Sequence, residues 1–511
     1  MVKPLPDSGT LPAALRLEMR CITLAALLVL FIIADPSKYY FLNDDFEHIP
    51  LAAGGHFVFG TFIRPVTDVL LWIDHAFWDK NPVGYHLTSL LIHLANAWLV
   101  YRLALSWFAR YAPEQGQVRL KAWAAGLLFM LYGFHAEPLL WVICRSGSIG
   151  TLFFLLSCLC YMERKRGWIF FGCSLLFFGV GLLTYESTWI YPLTALFISV
   201  TDIRKKDSSR NREAPYLIAT FFFFGAYLLY LVWRMGNVGN DYSMHNIIRF
   251  NPGRLIYNYN TLLGRTMLPY SGRSWIFVSA YGILLAAGSY WAGRRILQGK
   301  AAPFLLLLLA CLLVSPLPAI SLGISTHNSE SERYIYLPSV FFVLLVTQAC
   351  GSLLPRMRGW LAVTMVLLIG HGCLLWHSAQ AYRTAGGIIR QSLSALPASG
   401  EISTLHVIGL PLQYQGAIMF RTGFNDALRW IGSGCRYERL DTLGSYTYLR
   451  APAAFSIQQY GPQKGMEVLG ASFHTRPEGS WDILYRNLHF SFQPGRDMIL
   501  FWTDSSLIKI K

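Results

Sequence analysis

The stretch Cys21-Ile-Thr-Leu-Ala-Ala-Leu-Leu-Val-Leu-Phe-Ile-Ile-Ala34 is almost purely apolar, and a polar run, Asn43-Asp-Asp-Phe-Glu-His48, follows it closely. Counted from residue 14, the apolar stretch is about as long as a helix that crosses a bilayer. Charged groups at a membrane edge are costly and commonly mark a functional site. We therefore predict a membrane helix followed by a loop whose acids and histidine serve proton transfer or metal binding.

The composition is that of a polytopic membrane protein. Hydrophobic residues make up 54% of the 511 residues and charged residues 14%, whereas soluble domains carry about 25% charged residues. The formal net charge of +15 comes mostly from short basic clusters between apolar segments, which is typical of cytoplasmic loops and does not indicate nucleic-acid binding. The nine scattered cysteines indicate neither a disulfide framework nor a zinc site.

Apolar segments predict about eleven transmembrane helices. Their bounds are 14–34, 85–109, 119–140, 147–162, 168–184, 187–201, 214–234, 274–293, 301–322, 335–353 and 358–378. If the N-terminus is cytoplasmic, the basic clusters all fall on one side, as the positive-inside rule requires, and the acidic loop faces outward. We expect the first segment to be retained, because no convincing cleavage site follows it. Charges interrupt residues 61–80 and 254–270, which predicts interfacial helices there.

The composition changes near Thr384, and the remainder predicts a separate domain. A helical stretch at 388–396 precedes β-like runs at 404–409, 446–449 and 498–502, with turns at 411, 432–434, 462 and 494–495. We therefore divide the chain into a transmembrane domain, residues 1–383, and a small α/β or α+β domain, residues 384–511. The predicted number of spans places the second domain outside the membrane.

Other ionisable residues collect at the same predicted outer face. Beyond the acidic loop they are His135, Glu137, Arg145, Glu186, Arg234, Glu332 and Arg333. A channel or carrier more typically places such groups near the membrane centre. An outer ring of acids and arginines favours an enzyme acting on a lipid that presents a phosphate, which a guanidinium fork fits well.

Structural interpretations of the same residues stay open at this point. Asn43 or Asp44 could merely cap the helix that follows. Glu137 could pair with Arg145 to close a helical hairpin, and Glu332 could pair with its neighbour Arg333. His86, His93 and Asn96 follow helical spacing along the second span, where polar residues are often buried helix–helix contacts.

Six short motifs resemble, in order and spacing, those of the GT-C membrane glycosyltransferases. The motifs are similar to those of the protein O-mannosyltransferases that carry tetratricopeptide tails and of their bacterial relatives. The motifs are Asp44-Asp-Phe-Glu-His-Ile-Pro50, Ile63-Arg-Pro-Val66, Asn81-Pro-Val-Gly-Tyr-His86 with His93 and Asn96, Phe134-His-Ala-Glu-Pro-Leu-Leu-Trp141 with Arg145, Tyr185-Glu-Ser187, and Glu332-Arg-Tyr-Ile-Tyr-Leu-Pro338. The resemblance covers roughly residues 1–380, and a non-repeating domain stands where the family has its tail.

This resemblance implies a GT-C fold and an inverting transfer from a sugar on a polyprenyl phosphate. Asp44 would be the base on the acceptor hydroxyl, with Asp45 beside it as the second catalytic acid. Arg145, Arg333 and Arg234 would bind the donor phosphate. The residues expected to shape the donor and acceptor sides are His48, Arg64, His86, His135, Glu137, Glu186 and Glu332. A divalent cation, Mg²⁺ or Mn²⁺, is left open, with Asp44, Asp45 and His48 as its ligands.

The sequence as a whole predicts a multi-pass glycosyltransferase of the bacterial inner membrane, with its active site and C-terminus in the periplasm. Its partners would be an undecaprenyl-phosphate monosaccharide and a protein, lipid or glycan acceptor. Two alternatives stay open. A flippase or transporter of a lipid-linked sugar would need phosphate-binding arginines but no base. An oligosaccharide ligase or polymerase would instead use a polyprenyl-diphosphate carrier.

Overall fold

The computed structural model describes most of the chain. The described residues are 13–57, 64–113, 117–205, 208, 210–237, 251–298, 302–353, 357–394, 400–431, 435–448, 456–459, 466–475, 481–490, 498–502 and 507–510. Some features predicted from the sequence lie outside the described residues. They include the first residues of the interfacial helix predicted at 61–80, the predicted outer loop at 238–250, and the turns predicted at 432–434, 462 and 494–495.

Helices make up the first part of the chain, and their bounds largely follow the apolar segments. They are α1 (Ala13–Ile33), α2 (Asp45–Ala53), α3 (Pro65–Trp78), α4 (Pro82–Tyr111), α5 (Val118–Met130), α6 (Ala136–Leu140), α7 (Ser146–Met162), α8 (Trp168–Leu182), α9 (Tyr191–Arg204), α10 (Arg210–Asn237), α11 (Pro252–Met267), α12 (Ser274–Leu297), α13 (Ala302–Val314), α14 (Tyr336–Leu353) and α15 (Met357–Ser394). Both segments predicted as interfacial are helical, as α3 and α11.

The predicted class, an α-helical multi-pass membrane protein, is confirmed. Within the described residues, seven helices are long and apolar enough to cross a membrane, and two shorter apolar helices accompany them. The predicted number of about eleven is not confirmed, because several apolar segments form shorter helices. The segment 119–140, for example, divides into α5 and α6 around the turn at Gly133.

Helix α15 is much longer than the predicted span at 358–378. It contains 38 residues and is therefore about 57 Å long, against a hydrocarbon core of about 30 Å. The helix predicted separately at 388–396 is its continuation, so the domain boundary predicted after residue 383 falls within one unbroken helix. Tyr382, Ala385 and Ile389 are buried along it, and this packing carries the helix past the Gly386-Gly387 pair.

A mixed β-sheet follows α15, in the region where the sequence predicts a small α/β or α+β domain. Strand β1 (Gly400–Tyr414) pairs in parallel with β3 (Cys435–Tyr448) and β7 (Met498–Trp502) and antiparallel with the short β2 (Ala417–Ile418). The remaining elements are α16 (Phe424–Trp430), β4 (Ser456–Gln459), β5 (Met466–Thr475), β6 (Trp481–Phe490) and β8 (Leu507–Ile510). The turn predicted at Pro411 is wrong: Pro411 lies within β1, where the pairing with β3 shifts register.

The C-terminal domain contacts the loop after α1 through residues 416–430, which we call the covering segment. Trp430 packs against Phe41, with ring centroids 5.0 Å apart, and against Phe46. Phe420 stacks on Phe46 from the same side. Phe41, Phe46 and Phe420 are all buried, and burying a side chain of this size contributes about 1.5–3 kcal/mol. The covering segment is therefore an integral part of the folded membrane domain.

Gly423 marks the closest approach of the covering segment to that loop. Its φ is +74°, and a Cβ placed there would lie 2.3 Å from the carbonyl oxygen of Asn43. Gly423→Ala is therefore expected to lower the melting temperature, since the left-handed conformation alone costs about 1–2 kcal/mol and the clash adds to it. Gly282→Ala is the matched control, because a Cβ at Gly282 meets no atom within 4 Å. Equal melting temperatures for the two variants would contradict this packing.

A buried ionic network lies at the C-terminal end of α4. Arg164 donates to Asp202 on α9 at 2.8 Å and to Glu213 on α10 at 2.6 Å, and all three side chains are buried. Arg110, in the last turn of α4, and Lys165 also pair with Asp202. The 30 residues of α4 span about 45 Å. Three of the basic clusters that the charge rule assigns to one side, those with Arg110, Arg164 and Lys205, thus meet at the C-terminal end of α4.

Candidate functional site

The acidic loop turns sharply before α2 begins. Asn43 has a φ of +43°, a left-handed conformation that asparagine tolerates better than most residues. This turn places Asp44 at the N-cap of α2, but the Asp44 side chain makes no capping hydrogen bond. The interpretation of Asp44 as a simple helix cap is therefore wrong.

Asp45 is built into the scaffold. Its side chain is fully buried, and its two oxygens accept hydrogen bonds of 2.9 Å from the backbone nitrogens of Leu42 and Ile143. Burial raises the pKa of Asp45 to about 7, although these two hydrogen bonds act to lower it. A pKa near 7 would suit a general base, but geometry comes first, and a buried carboxylate with both oxygens engaged cannot reach a substrate. Asp45 instead ties the acidic loop to the turn before α7.

Asp44, by contrast, is half-buried. Its Oδ1 accepts a hydrogen bond of 2.7 Å from Asn43 Nδ2 and another from the hydroxyl of Thr422. Among the residues that the structure describes, no hydrogen bond is directed at Oδ2. Asp44 is therefore the member of the acidic pair that could accept a proton from a substrate hydroxyl.

Glu137 and Arg333 hold a second loop, next to the turn that binds Asp45. Arg333 Nη1 lies 2.6 Å from Glu137 Oε1, and the Arg333 backbone nitrogen donates to Glu137 Oε2 at 2.7 Å. Arg333 Nη1 also contacts the sulfur of Cys144 at 3.7 Å, and the backbone nitrogen of Ile143, the residue before Cys144, donates to Asp45 Oδ1 at 2.9 Å. The turn at residues 143–144 thus links the acidic loop with the Arg333 loop.

The structure corrects both ion pairs that the sequence suggested as structural alternatives. Arg145 does not pair with Glu137: it is fully buried, and its Nη1 lies 2.5 Å from Asp74 on α3. Glu332 does not pair with Arg333: its Oε1 lies 2.7 Å from Arg265 on α11, and both side chains are fully buried. Asp74 and Glu332 therefore each pair with an arginine on an element that is distant in the chain.

Arg64 and Arg333 lie near the same tyrosine ring. Arg64 forms a bidentate contact with Glu186, with its shortest distance 2.8 Å, and its guanidinium lies 4.7 Å from the ring centre of Tyr185. Tyr185 and Arg333 both lie next to Gly147. A Cβ placed on Gly147 would be 3.7 Å from Tyr185 Cε1 and 3.2 Å from the carbonyl oxygen of Arg333. The exposed fraction of the side chain is 28% for Arg64 and 23% for Arg333, whereas Arg145 is inaccessible.

The histidines predicted to shape the site have different surroundings. His135 is fully buried, and its Nε2 lies 2.9 Å from the hydroxyl of Ser339 in a cluster of aromatic rings. His86 is buried beneath Tyr39, with ring centroids 5.6 Å apart. His48 is half-buried on α2, and Arg234 is half-buried in the last turn of α10. The structure thus brings together Asp44, Asp45, Glu137 and Arg333 but embeds His86 and His135 in the packed interior.

The metal alternative gains no support from this arrangement. Among the described residues, no group of three or more histidines, cysteines and acids is placed to hold a metal ion. In particular, both carboxylate oxygens of Asp45 already accept backbone hydrogen bonds, which leaves the predicted set of Asp44, Asp45 and His48 without one of its ligands.

Four residues of the site were missed from the sequence: Asp74, Cys144, Arg265 and Thr422. Asp74 and Arg265 occur in the segments predicted as interfacial, where charges in an amphipathic pattern suggested contact with solvent. No sequence pattern distinguishes Cys144 from the other scattered cysteines. Thr422 lies in the C-terminal domain, and no pattern around it indicates contact with an acidic loop 378 residues away.

Comparisons with known proteins agree with the resemblance noted in the motifs. No protein-family model matches the chain. Protein O-mannosyl-transferase TMTC2 from mouse is 26% identical over 250 residues, which cover 45% of this chain and 28% of the relative. The human TMTC2 protein is 26% identical over 226 residues, covering 41% and 26%. The human TMTC4 protein is 24% identical over 415 residues, covering 66% and 54%. The chain thus spans about a quarter to a half of the length of these relatives.

Among solved structures, ArnT from Cupriavidus metallidurans in the apo state aligns with a TM-score of 0.48 and 12% identity, covering 85% of this chain and 86% of ArnT. The same protein bound to undecaprenyl phosphate aligns with a TM-score of 0.45 and 12% identity. The relatives in sequence confirm the resemblance that the motifs indicate. This chain is similar to the protein O-mannosyl-transferases, and its resemblance to membrane glycosyltransferases extends well beyond the short motifs.

Proposed function

We propose that the protein is a membrane glycosyltransferase that moves a hexose from a polyprenyl-phosphate carrier to a hydroxyl group, with inversion and with Asp44 as the general base. The names of its relatives favour mannose as the sugar and a protein hydroxyl as the acceptor. The single observation that carries the proposal is the contrast within the acidic pair. Asp45 is buried and engaged at both oxygens, while Asp44 is half-buried and its carboxylate, among the described residues, accepts hydrogen bonds at Oδ1 alone.

The reaction follows from these positions. Asp44 Oδ2 accepts the proton of the acceptor hydroxyl, whose oxygen attacks the anomeric carbon of the sugar. The bond between that carbon and the phosphate oxygen breaks on the opposite face, and the polyprenyl phosphate leaves with the electron pair. Donors placed where this negative charge develops stabilise the transition state. Arg333 and Arg64 are the better placed arginines for this role, because Arg145 is fully buried beside Asp74.

A lipid carrier also suits the apolar surface near the site. Helices α1 and α15 enclose a groove of about 700 Å³ lined almost entirely by apolar side chains, among them Val29, Ile32 and Trp376. These three side chains are exposed. Arg383 lies over the Trp376 ring at 4.9 Å and binds the carbonyl oxygens of Ile32 and Ile33 at the end of α1. We assign this groove to the polyprenyl chain of the donor.

We place the site on the periplasmic face of a bacterial inner membrane, with the C-terminal domain on the same side. Three of the basic clusters of the interhelical loops meet at the C-terminal end of α4, and such clusters mark the cytoplasmic side. The covering segment contacts the acidic loop, so the C-terminal domain shares its side of the membrane.

A mass-spectrometric comparison of surface glycoproteins and glycolipids tests this function. It requires cells with the intact gene, cells without it, and cells that carry Asp44→Asn. A glycan that is lost in both altered strains supports a transferase and identifies sugar and acceptor together. A glycan that is lost on deletion but retained with Asp44→Asn would instead support a transporter, which needs no base.

Arg333→Lys tests the phosphate contact. Lysine keeps the charge but loses the planar fork, and a hydrogen bond to a charged group contributes about 1.5–3 kcal/mol. We therefore expect the affinity for polyprenyl phosphate to fall about tenfold or more, measured with the purified protein in detergent. Arg145→Lys is the matched comparison, and we expect it mainly to lower the melting temperature. Unchanged affinity and a lowered melting temperature for Arg333→Lys would show a structural role alone.

A further inference from the structure

We infer that the C-terminal domain completes the active site, with the covering segment as one of its walls and Thr422 as the positioning residue of Asp44. The inference rests on the proposed function, because it takes Asp44 as the base. It adds a role for a domain in which the sequence indicated no catalytic part. It also names a residue that neither the motifs nor the comparisons point to.

Three hydrogen bonds hold Thr422 and Asp44 in one arrangement. The Thr422 hydroxyl donates to Asp44 Oδ1. The Thr422 backbone nitrogen donates to Asn43 Oδ1 at 2.8 Å, and the Asn43 backbone nitrogen donates to the carbonyl of Met419 at 2.9 Å. Because two of these bonds involve the backbone, the covering segment and the acidic loop have a defined register, and the Thr422 hydroxyl is directed at the carboxylate.

The surrounding packing allows no space for a different register. Gly423 contacts the backbone of Asn43, and Gly416, with a φ of +98°, lies against the backbone of Ser329. A Cβ at Gly416 would stand 2.7 Å from the Ser329 nitrogen. The covering segment therefore touches both the acidic loop and the loop that leads to Arg333, so it borders the space between the proposed base and the proposed phosphate contact.

The hydrogen bonds assign different roles to the two oxygens of Asp44. Oδ1 accepts from Asn43 Nδ2 and from Thr422, and this pair of donors fixes the plane of the carboxylate. Oδ2 is then the oxygen directed toward an acceptor hydroxyl. A base held in one orientation reaches its proton at hydrogen-bond distance without searching rotamers, which is the kind of positioning on which catalytic rates depend. Thr422 itself touches neither reacting atom.

The position of Thr422 also bears on how the acceptor binds. Thr422 is exposed at the surface of the covering segment, so an acceptor that reaches Asp44 from outside passes close to its hydroxyl. The C-terminal domain therefore contributes to the binding of the acceptor as well as to the orientation of the base, and the substituted tail explains why acceptor choice need not follow that of the tetratricopeptide relatives.

Thr422→Val and Thr422→Ser form the decisive pair of variants. Valine preserves the shape and removes the hydroxyl, whereas serine preserves the hydroxyl. With the full-length protein in lipid nanodiscs, we expect Thr422→Val to lower kcat about ten- to a hundredfold, the effect of losing one hydrogen bond to a charged group, and to leave KM for polyprenyl-phosphate mannose unchanged. Thr422→Ser should restore most of kcat. The acid limb of the pH profile of kcat should move in Thr422→Val and return in Thr422→Ser.

Arg421→Met serves as the control within the same segment. Arg421 pairs with Glu330 at 2.7 Å across the same interface, but the Arg421 side chain is 44% exposed and the Glu330 side chain 26% exposed, and solvent-accessible pairs contribute little. We expect normal kcat and a normal melting temperature for Arg421→Met. If Thr422→Val behaves in the same way, the positioning role is overturned. A kcat for Thr422→Val that falls only in proportion to a loss of folded protein would overturn it as well.

Two further outcomes separate this inference from the proposed function. If Asp44→Asn retains full activity, the base assignment fails, and Thr422 loses its role with it. If Asp44→Asn is inactive while Thr422→Val is normal, only the role of Thr422 fails. A hexose found on Thr422 by peptide mass spectrometry would also overturn the positioning role, because it would make this hydroxyl an acceptor.

Discussion

Asp44→Asn is expected to reduce sugar transfer by about 10²–10⁴-fold, the usual effect of losing a general base. Asparagine has the shape of aspartate, and its amide oxygen can still accept the hydrogen bonds from Asn43 and Thr422. What it loses is the ability to take a proton at the second oxygen position. We therefore expect an unchanged melting temperature, measured by thermal unfolding in detergent beside the transfer assay.

Asp45→Asn is the comparison that separates catalysis from scaffolding. Both Asp45 oxygens accept backbone hydrogen bonds in the interior, and an amide nitrogen cannot replace one of them. A buried donor left without a partner costs about 1–3 kcal/mol, so this variant should unfold at a lower temperature. If Asp45→Asn lost activity with full stability and Asp44→Asn did not, the roles of the two acids would be reversed.

Arg265→Met is expected to destabilise the protein by about 3–5 kcal/mol, because it leaves the fully buried Glu332 without its partner. The guanidinium also donates to the carbonyl oxygens of Ser325 and Leu268, which would lose their donors. This pair fixes the loop that carries Arg333, so activity should fall together with the folded fraction. Thermal unfolding in detergent measures the effect.

The double variant Arg265→Met with Glu332→Gln tests whether an unpaired charge is the cause. Replacing both partners of a buried pair removes the uncompensated carboxylate and commonly recovers stability. We expect the double variant to unfold at a higher temperature than Arg265→Met alone. Equal unfolding temperatures would mean that the cost comes from lost packing of the arginine side chain.

Local patterns predicted the features that depend on local composition. The apolar runs predicted most helices because a membrane helix must be apolar along its own length. The acidic loop was recognised because carboxylates directly after such a run are unusual. The strands around residues 404, 446 and 498 followed from their alternating or β-branched composition and are present as β1, β3 and β7.

The partners of the charged residues could not be predicted in this way. Glu137 binds Arg333, 196 residues away, and Glu332 binds Arg265 although Arg333 is its direct neighbour. Adjacent residues in the turn that starts at Glu332 point in different directions, so nearness in sequence does not bring these two side chains together. Only the packing of α6, α11 and α14 decides which charges meet.

The buried network around Arg164 has a consequence for how the protein enters the membrane. During insertion the chain is unfolded, and in the orientation that we propose the arginines and lysines near Arg110, Arg164 and Arg204 retain loops in the cytoplasm, with acids counting little. After folding, Asp202 and Glu213 neutralise much of this charge in the interior. The positive charge that these loops carry during insertion is therefore larger than the net charge that the same region of the folded protein presents to anionic lipids. The same residues first set the topology of the chain and then become part of its core.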